Sequence, residues 1–223
     1  MSPTLKEKQF EIMQDNMNKI HPIDCLEFMK QVPDDYFDLV LTDPPYGIDL
    51  ANMNMGTGKS PKASRIENRK WKAKSWDKET PSDEIFDEIF RISKNQIIWG
   101  GNYFNLPSHK FYILWDKQIP NGLSFADCEM AWTSYDKAPR IFRYSAYRDK
   151  ASKIHPTQKP LMLFEYCINL TKDIKTVFDP FMGSGTTAVA CKSLGIDWCG
   201  CELEADYVEI ANKRLEQVQG SLF

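Results

Sequence analysis

Short apolar runs alternate with amphipathic stretches along most of this chain. Phe37-Asp38-Leu39-Val40-Leu41-Thr42 is nearly continuous in apolar residues and runs into Asp43-Pro44-Pro45-Tyr46. A strand buried on both faces reads this way, and two prolines end it. Residues 96–99, 110–115, 128–133, 176–178 and 197–201 are further strand candidates, with a short one at 141–144 and a strand or strand edge near 19–23. Helical stretches fall at 24–31, 83–93, 160–171, 186–194 and 206–217. Ser82 stands where it would cap the second of these, with Asp83 and Glu84 in the first turn, and Gly195 ends the fourth. Strands separated by helices predict an α/β domain with a mostly parallel sheet. Ligands of such sheets bind beyond the carboxyl ends of the strands. Asp43, Asp179 and Glu202 all fall at or just after predicted strand ends.

A length of 223 residues with 42% hydrophobic content suits one domain, 1–223, with a sizeable core. No apolar run approaches the roughly 20 residues that span a bilayer, and the charged start MSPTLKEKQF does not resemble a secretory signal. A soluble protein of the cytoplasm is expected. The six scattered cysteines read as free thiols of a reducing compartment, and no His/Cys set has zinc-site spacing, so no metal is expected.

The net charge of −3 makes no global case for nucleic acid, but its distribution does. Residues 59–78 carry eight basic against two acidic residues, and 137–159 carry seven against one. The first cluster lies in a long unpatterned stretch, 47–80, which reads as an inserted basic loop. Lys62, Arg65, Arg69 and Lys70 there, with Arg140, Arg143 and Arg148 in the second cluster, are candidate phosphate contacts. Neutralising the four in the loop is expected to weaken DNA binding and flatten its salt dependence.

Val177 to Thr187 reads as a strand, a Gly-x-Gly turn (Gly183, Gly185) and a helix start. Such a turn lets backbone approach a ligand, and the helix offers free N–H groups. Glu202 follows Gly185 by seventeen residues, at the end of the next strand. An acid there can accept hydrogen bonds from both ribose hydroxyls, which points to a nucleoside ligand. The third glycine of the dinucleotide fingerprint is absent, so NAD is not indicated. Gly58-Lys59-Ser60 echoes a phosphate loop, but Met53 stands where its first glycine belongs, so ATP is not indicated either.

Asp43-Pro44-Pro45-Tyr46 carries the chemistry. The lone pair of an adenine amino group is conjugated with the ring, so the nitrogen is a poor nucleophile. Acceptors that hold its two N–H bonds ease the change to a pyramidal nitrogen. The Asp43 carboxylate and the Pro44 carbonyl can serve, and the prolines preorganise that carbonyl. Tyr46 can stack on a base rotated out of a duplex.

With these stretches in view, the sequence resembles the amino-DNA methyltransferases, in the permuted class whose catalytic motif precedes its cofactor motif. The resemblance rests on TDPPYG at 42–47, FDPFMGSGTT at 178–187, HPTQKP at 155–160, IDCLEFM at 23–29 and CGCELEADYVEIANKRL at 199–215. It implies a circularly permuted, Rossmann-like seven-stranded sheet, mostly parallel with one reversed strand. It also implies S-adenosyl-L-methionine as cofactor, DNA as partner and methylation of adenine N6, as in restriction-modification systems.

By the same resemblance Asp43, Pro44, Pro45 and Tyr46 are catalytic. Phe181, Gly183 and Gly185 hug the methionine part of the cofactor, with Ser184 and Thr186 in the same turn. Glu202 holds the ribose, and Asp24 the adenine, with Cys25 beside it. Thr157 and Lys159 lie near the cofactor carboxylate, Asp179 meets its amino group, and Asp43 borders it. The stretch at 133–155, where target recognition is expected, is short. A homodimer and a cognate restriction enzyme stay open as partners.

N4-cytosine methylation is the nearest alternative, since it meets the same problem at a similar amine. Resembling sequences mark it by Ser at the first position of the tetrapeptide, where this chain has Asp43. RNA as substrate and an inactive nucleic-acid-binding module are further alternatives. C5-cytosine chemistry needs a cysteine nucleophile, and no Pro-Cys dipeptide is present.

Overall fold

In a computed structural model, residues 11–48, 79–119, 126–148 and 158–218 are described. Eight strands form one sheet: β1 (Lys19–His21), β2 (Leu39–Thr42), β3 (Gln96–Trp99), β4 (Tyr112–Asp116), β5 (Cys128–Thr133), β6 (Arg140–Arg143), β7 (Thr176–Asp179) and β8 (Asp197–Cys201). The helices are α1 (Cys25–Met29), α2 (Asp83–Ile92), α3 (Leu161–Asn169), α4 (Thr186–Leu194) and α5 (Ala205–Gln217). A short 3-10 turn, Gly101–Tyr103, follows β3.

The strand order is β1-β8-β7-β2-β3-β5-β4-β6. All neighbours run parallel except at β5, which is antiparallel to both β3 and β4. One reversed strand in a mostly parallel sheet is the expected pattern. The resemblance implies seven strands, and the described sheet has eight. Its shortest member is β1, three residues at the edge beside β8.

The apolar runs become strands because both faces of the sheet are covered. Leu39, Val40 and Leu41 are all fully buried, with Leu39 and Leu41 facing one core and Val40 the other. The first core also takes Ile97, Trp99 and Val177, with Leu163 and Phe164 of α3 and Ala188 and Cys191 of α4. The second takes Ile98 and Phe178, with Phe28 of α1 and Phe86, Ile89 and Ile92 of α2. Those α2 residues recur every three positions, which places them on one helix face. Ser82 precedes α2 as expected, but its hydroxyl caps no amide. The helix start is closed instead by the Ile85 N–H donating to the Ser82 carbonyl, 3.0 Å away.

Adjacent β2 and β7 send their chains in opposite directions across the sheet, to β3 and β8 respectively. Their carboxyl ends therefore border the crevice where such sheets bind ligands. Asp43 directly follows β2, Asp179 ends β7, and Glu202 directly follows β8.

Candidate active site

A cavity of about 370 Å³ opens at this crevice. Of the residues singled out in the sequence, Asp24, Cys25, Asp43, Pro45, Lys159, Asp179, Phe181, Gly183, Ser184, Thr186 and Glu202 line it. Strand ends on both sides of the switch point thus bring together residues up to 178 positions apart, from Asp24 to Glu202.

Asp179 holds the frame. Its Oδ1 accepts from Thr42 Oγ1 (2.8 Å) and the Phe181 N–H (3.0 Å), and its Oδ2 from Thr187 Oγ1 (2.5 Å). These bonds tie the ends of β2 and β7 to the start of α4. Burial pushes the Asp179 carboxyl up to about 6, against the pull of these donors. Glu202 works the same way on the other side. Its Oε2 accepts from the Gly183 N–H and its Oε1 from the Glu204 N–H, each at 2.8 Å. Each carboxylate oxygen has a second lone pair, so these bonds leave acceptor capacity toward a ribose. Asp24 caps α1 by accepting from the Leu26 and Glu27 N–H groups through Oδ1 alone. Burial pushes the neighbouring Cys25 thiol up to about 12, so it is a thiol and not a nucleophilic thiolate.

The two glycines of the turn differ. Gly183 has φ +53°, and a Cβ there would have the Phe181 carbonyl at 3.9 Å as its nearest neighbour. The backbone is open at that point of the cavity wall. Gly185 does not line the cavity. Its φ is +81°, and a Cβ would stand 2.7 Å from the Ala211 Cβ. Gly185 is required for the approach of α5 to the turn, where the resemblance implies cofactor contact. Arg214 of α5 braces the same turn, donating to the Ser184 carbonyl (2.5 Å) and Oγ (3.1 Å).

Asp43 sits in a different setting. Tyr46 OH donates to its Oδ1 at 2.6 Å, and Lys159 Nζ donates to the same oxygen. Among the described residues no hydrogen bond reaches its Oδ2. Burial holds the Asp43 carboxyl above its ordinary value, and the Lys159 ammonium opposes this. Lys159 is 4% exposed, although it stands in a basic segment of the sequence. Burial alone would lower its pKa, but Asp43 and Glu129 together raise it, so it is charged. It also donates to Tyr46 OH (2.9 Å), pairs with Glu129 Oε2 (3.1 Å), and lies over the Tyr46 and Trp99 rings at 5.3 and 5.5 Å. Glu129 of β5 and its second partner Lys117 (2.5 Å) stand outside the expected set. Their only sequence signal is a charge on a buried strand and one at a strand end.

Tyr46 is fixed on two sides. Its ring stacks on that of Tyr103, with centroids 4.8 Å apart and planes 9° apart. A Cβ on Gly100, which has φ +69°, would strike the Tyr46 ring at 2.1 Å. Arg140 and Arg143 are exposed on the edge strand β6, with Arg143 3.7 Å from Asp116, and Arg148 lies over the Tyr144 ring at 5.3 Å. Lys62, Arg65, Arg69, Lys70 and Thr157 lie outside the described residues. No described helix is long and apolar enough to cross a membrane.

Residues 59–213 match the N6/N4 DNA methylase family. The chain belongs to this family. Among curated DNA methylases it is similar to the type II methyltransferase M.HinfI of Haemophilus influenzae, 28% identical over 94% of this chain and 71% of that protein. It is also similar to M2.DpnII of Streptococcus pneumoniae, 32% identical over 64% of this chain and 49% of that protein. Solved structures share the fold. M1.HpyAVI in complex with SAM has a TM-score of 0.54 at 23% identity, covering 88% of this chain and 99% of that one. The cytosine-N4-specific PvuII DNA methyltransferase has a TM-score of 0.56 at 17% identity, covering 90% and 86%. The sheet is the Rossmann-like methyltransferase sheet in its circularly permuted form.

Proposed function

We propose that this chain transfers a methyl group from S-adenosyl-L-methionine to the N6 amine of adenine in DNA. The observation that carries the reading is the placement of Asp43. It borders the cavity, is held through one oxygen by Tyr46 and Lys159, and has its other oxygen outside those bonds.

The cavity suits the cofactor. Its size falls in the range of small-molecule sites. Glu202 and Asp24 offer acceptors for an adenosine, and the open backbone at Gly183 gives a cradle without side-chain obstruction. When bound, S-adenosyl-L-methionine supplies an electrophilic methyl group on a sulfonium. The protein's part is to present the amine. Asp43 and the Pro44 carbonyl accept its two N–H bonds, which favours a pyramidal nitrogen with its lone pair directed at the methyl carbon. Nitrogen gains positive charge as it is methylated, and the Asp43 carboxylate offsets that charge until a proton leaves.

Tyr46 serves twice. Its hydroxyl orients Asp43, and its ring offers a stacking face for a base turned out of the duplex. In the protein alone that ring stacks on Tyr103, so a base on the same face must displace Tyr103. Arg140, Arg143 and Arg148 supply phosphate contacts from the β6 side, with the basic loop at 47–80 contributing others. Asp43 as the first residue of the tetrapeptide favours adenine over cytosine.

Incubation with unmethylated genomic DNA and labelled S-adenosyl-L-methionine, then nucleoside digestion and mass spectrometry, tests the reading. N6-methyldeoxyadenosine is the expected product. N4-methyldeoxycytidine would overturn the base assignment and keep the chemistry. Label in RNA alone would overturn the DNA assignment.

A further inference from the structure

Glu129 makes no contact with the cavity, yet it is tied to the residue that reaches Asp43. It lies on the reversed strand β5, two strands from β2, opposite Trp115 of β4. Its Oε2 takes one side of the Lys159 ammonium at 3.1 Å, while Asp43 and Tyr46 take the others. Its Oε1 pairs with Lys117 at 2.5 Å. Four charges thus form a chain, Lys117, Glu129, Lys159 and Asp43, that alternates in sign and crosses the sheet from β4 to β2. Burial would push the Glu129 carboxyl up, but Lys159 and Lys117 hold it down to about 2, so it is ionised near neutral pH.

A buried ammonium bound to Asp43 alone would draw electron density from that carboxylate and weaken it as an acceptor. It would also place an unshared cation beside a nitrogen that becomes positive. A second carboxylate on the same ammonium offsets part of both effects, and low dielectric enlarges them. We propose that Glu129 is a positioning residue which, by sharing the Lys159 ammonium with Asp43, keeps Asp43 anchored while preserving its strength as acceptor for the target amine. The inference rests on the functional reading above.

The test compares wild type with Glu129→Gln in steady-state methyl transfer across pH, with cofactor binding followed by calorimetry. The groups facing Asp43 are Lys159, Tyr46, Glu129 and Asp179. Only Glu129 changes, and its charge holds the Asp43 carboxyl up. The acid limb of kcat should therefore move to lower pH. Its plateau should drop about tenfold, on the scale of coupling between charged neighbours. KM for S-adenosyl-L-methionine should stay unchanged. A lower plateau with an unmoved limb would mean a merely structural ion pair and would overturn the inference.

If Glu129→Gln does not fold, Lys117→Met serves. It frees Glu129 from its outer cation, so the limb should move to higher pH, and an unmoved limb again overturns the inference. A wild-type protein that binds cofactor and methylates no base overturns the functional reading, and the inference with it. A wild type that methylates beside an unshifted variant overturns the inference alone.

Discussion

Asp43 and Asp179 stand at the ends of adjacent strands and border the same cavity, yet their surroundings differ. Asp179 is held by three neutral donors spread over both oxygens, and burial pushes it to about 6. Asp43 is held through one oxygen by a hydroxyl and a buried ammonium. A carboxylate saturated by fixed donors joins structural elements. A carboxylate tethered at one oxygen beside a cation keeps its other oxygen available. The same side chain thus builds the frame at one strand end and, in the function proposed, carries the chemistry at the next.

The largest expected break in this contrast is Lys159→Met. It leaves the half-buried Asp43 and Glu129 carboxylates without their shared cation. Removing one partner of a buried ion pair costs about 3–5 kcal/mol, measurable by urea unfolding. Methyl transfer near neutral pH should fall with it, as the Asp43 pKa rises further.

Asp179→Asn sharpens the other side. A carboxyl with a raised folded pKa contributes stability that is fully present below its unfolded value, 3.8, and is lost as pH rises through about 6. The roughly two-unit difference corresponds to about 3 kcal/mol. Wild type should lose up to that much relative to Asp179→Asn between pH 4 and pH 7, read from paired urea titrations. A constant difference across that range would show that Asp179 does not titrate there.

Smaller still is the contrast between the two left-handed glycines that bracket α4, Gly185 before it and Gly195 after it. Gly185→Ala meets both a left-handed φ and the Ala211 Cβ, whereas Gly195→Ala meets a left-handed φ with nothing within 4 Å. The strain alone costs about 1 kcal/mol, and overpacking adds about 1–3. Gly185→Ala should therefore unfold at clearly lower urea than Gly195→Ala.

Most of this frame was legible in the sequence, because buried parallel strands are nearly continuous apolar runs and the site residues follow their ends. Leu39 to Thr42 and Thr176 to Asp179 carry that signal locally, and so does the proline pair after Asp43. Lys159 was legible as a site residue, but its bond to Asp43 was not. Its burial is set by the packing of β2, β3 and β5, and its position in a basic segment reads as surface. Glu129 and Lys117 were less legible still. Their meeting depends on the antiparallel register of β4 and β5, which no local pattern encodes. Gly185 reads as a ligand-facing glycine because the turn is local, while the α5 residue it must clear lies 26 positions away.

In the function proposed, the Asp43 carboxylate accepts one of the two amine N–H bonds during transfer. Asp43→Asn keeps the side-chain shape and removes the charge. Its single-turnover methyl transfer at saturating S-adenosyl-L-methionine and DNA tests the claim directly. A loss of about 100-fold or more is expected, the scale for removing one preorganised partner of a developing charge. A rate close to wild type would contradict it, since Asp43 would then be one more strand-end carboxylate of the frame.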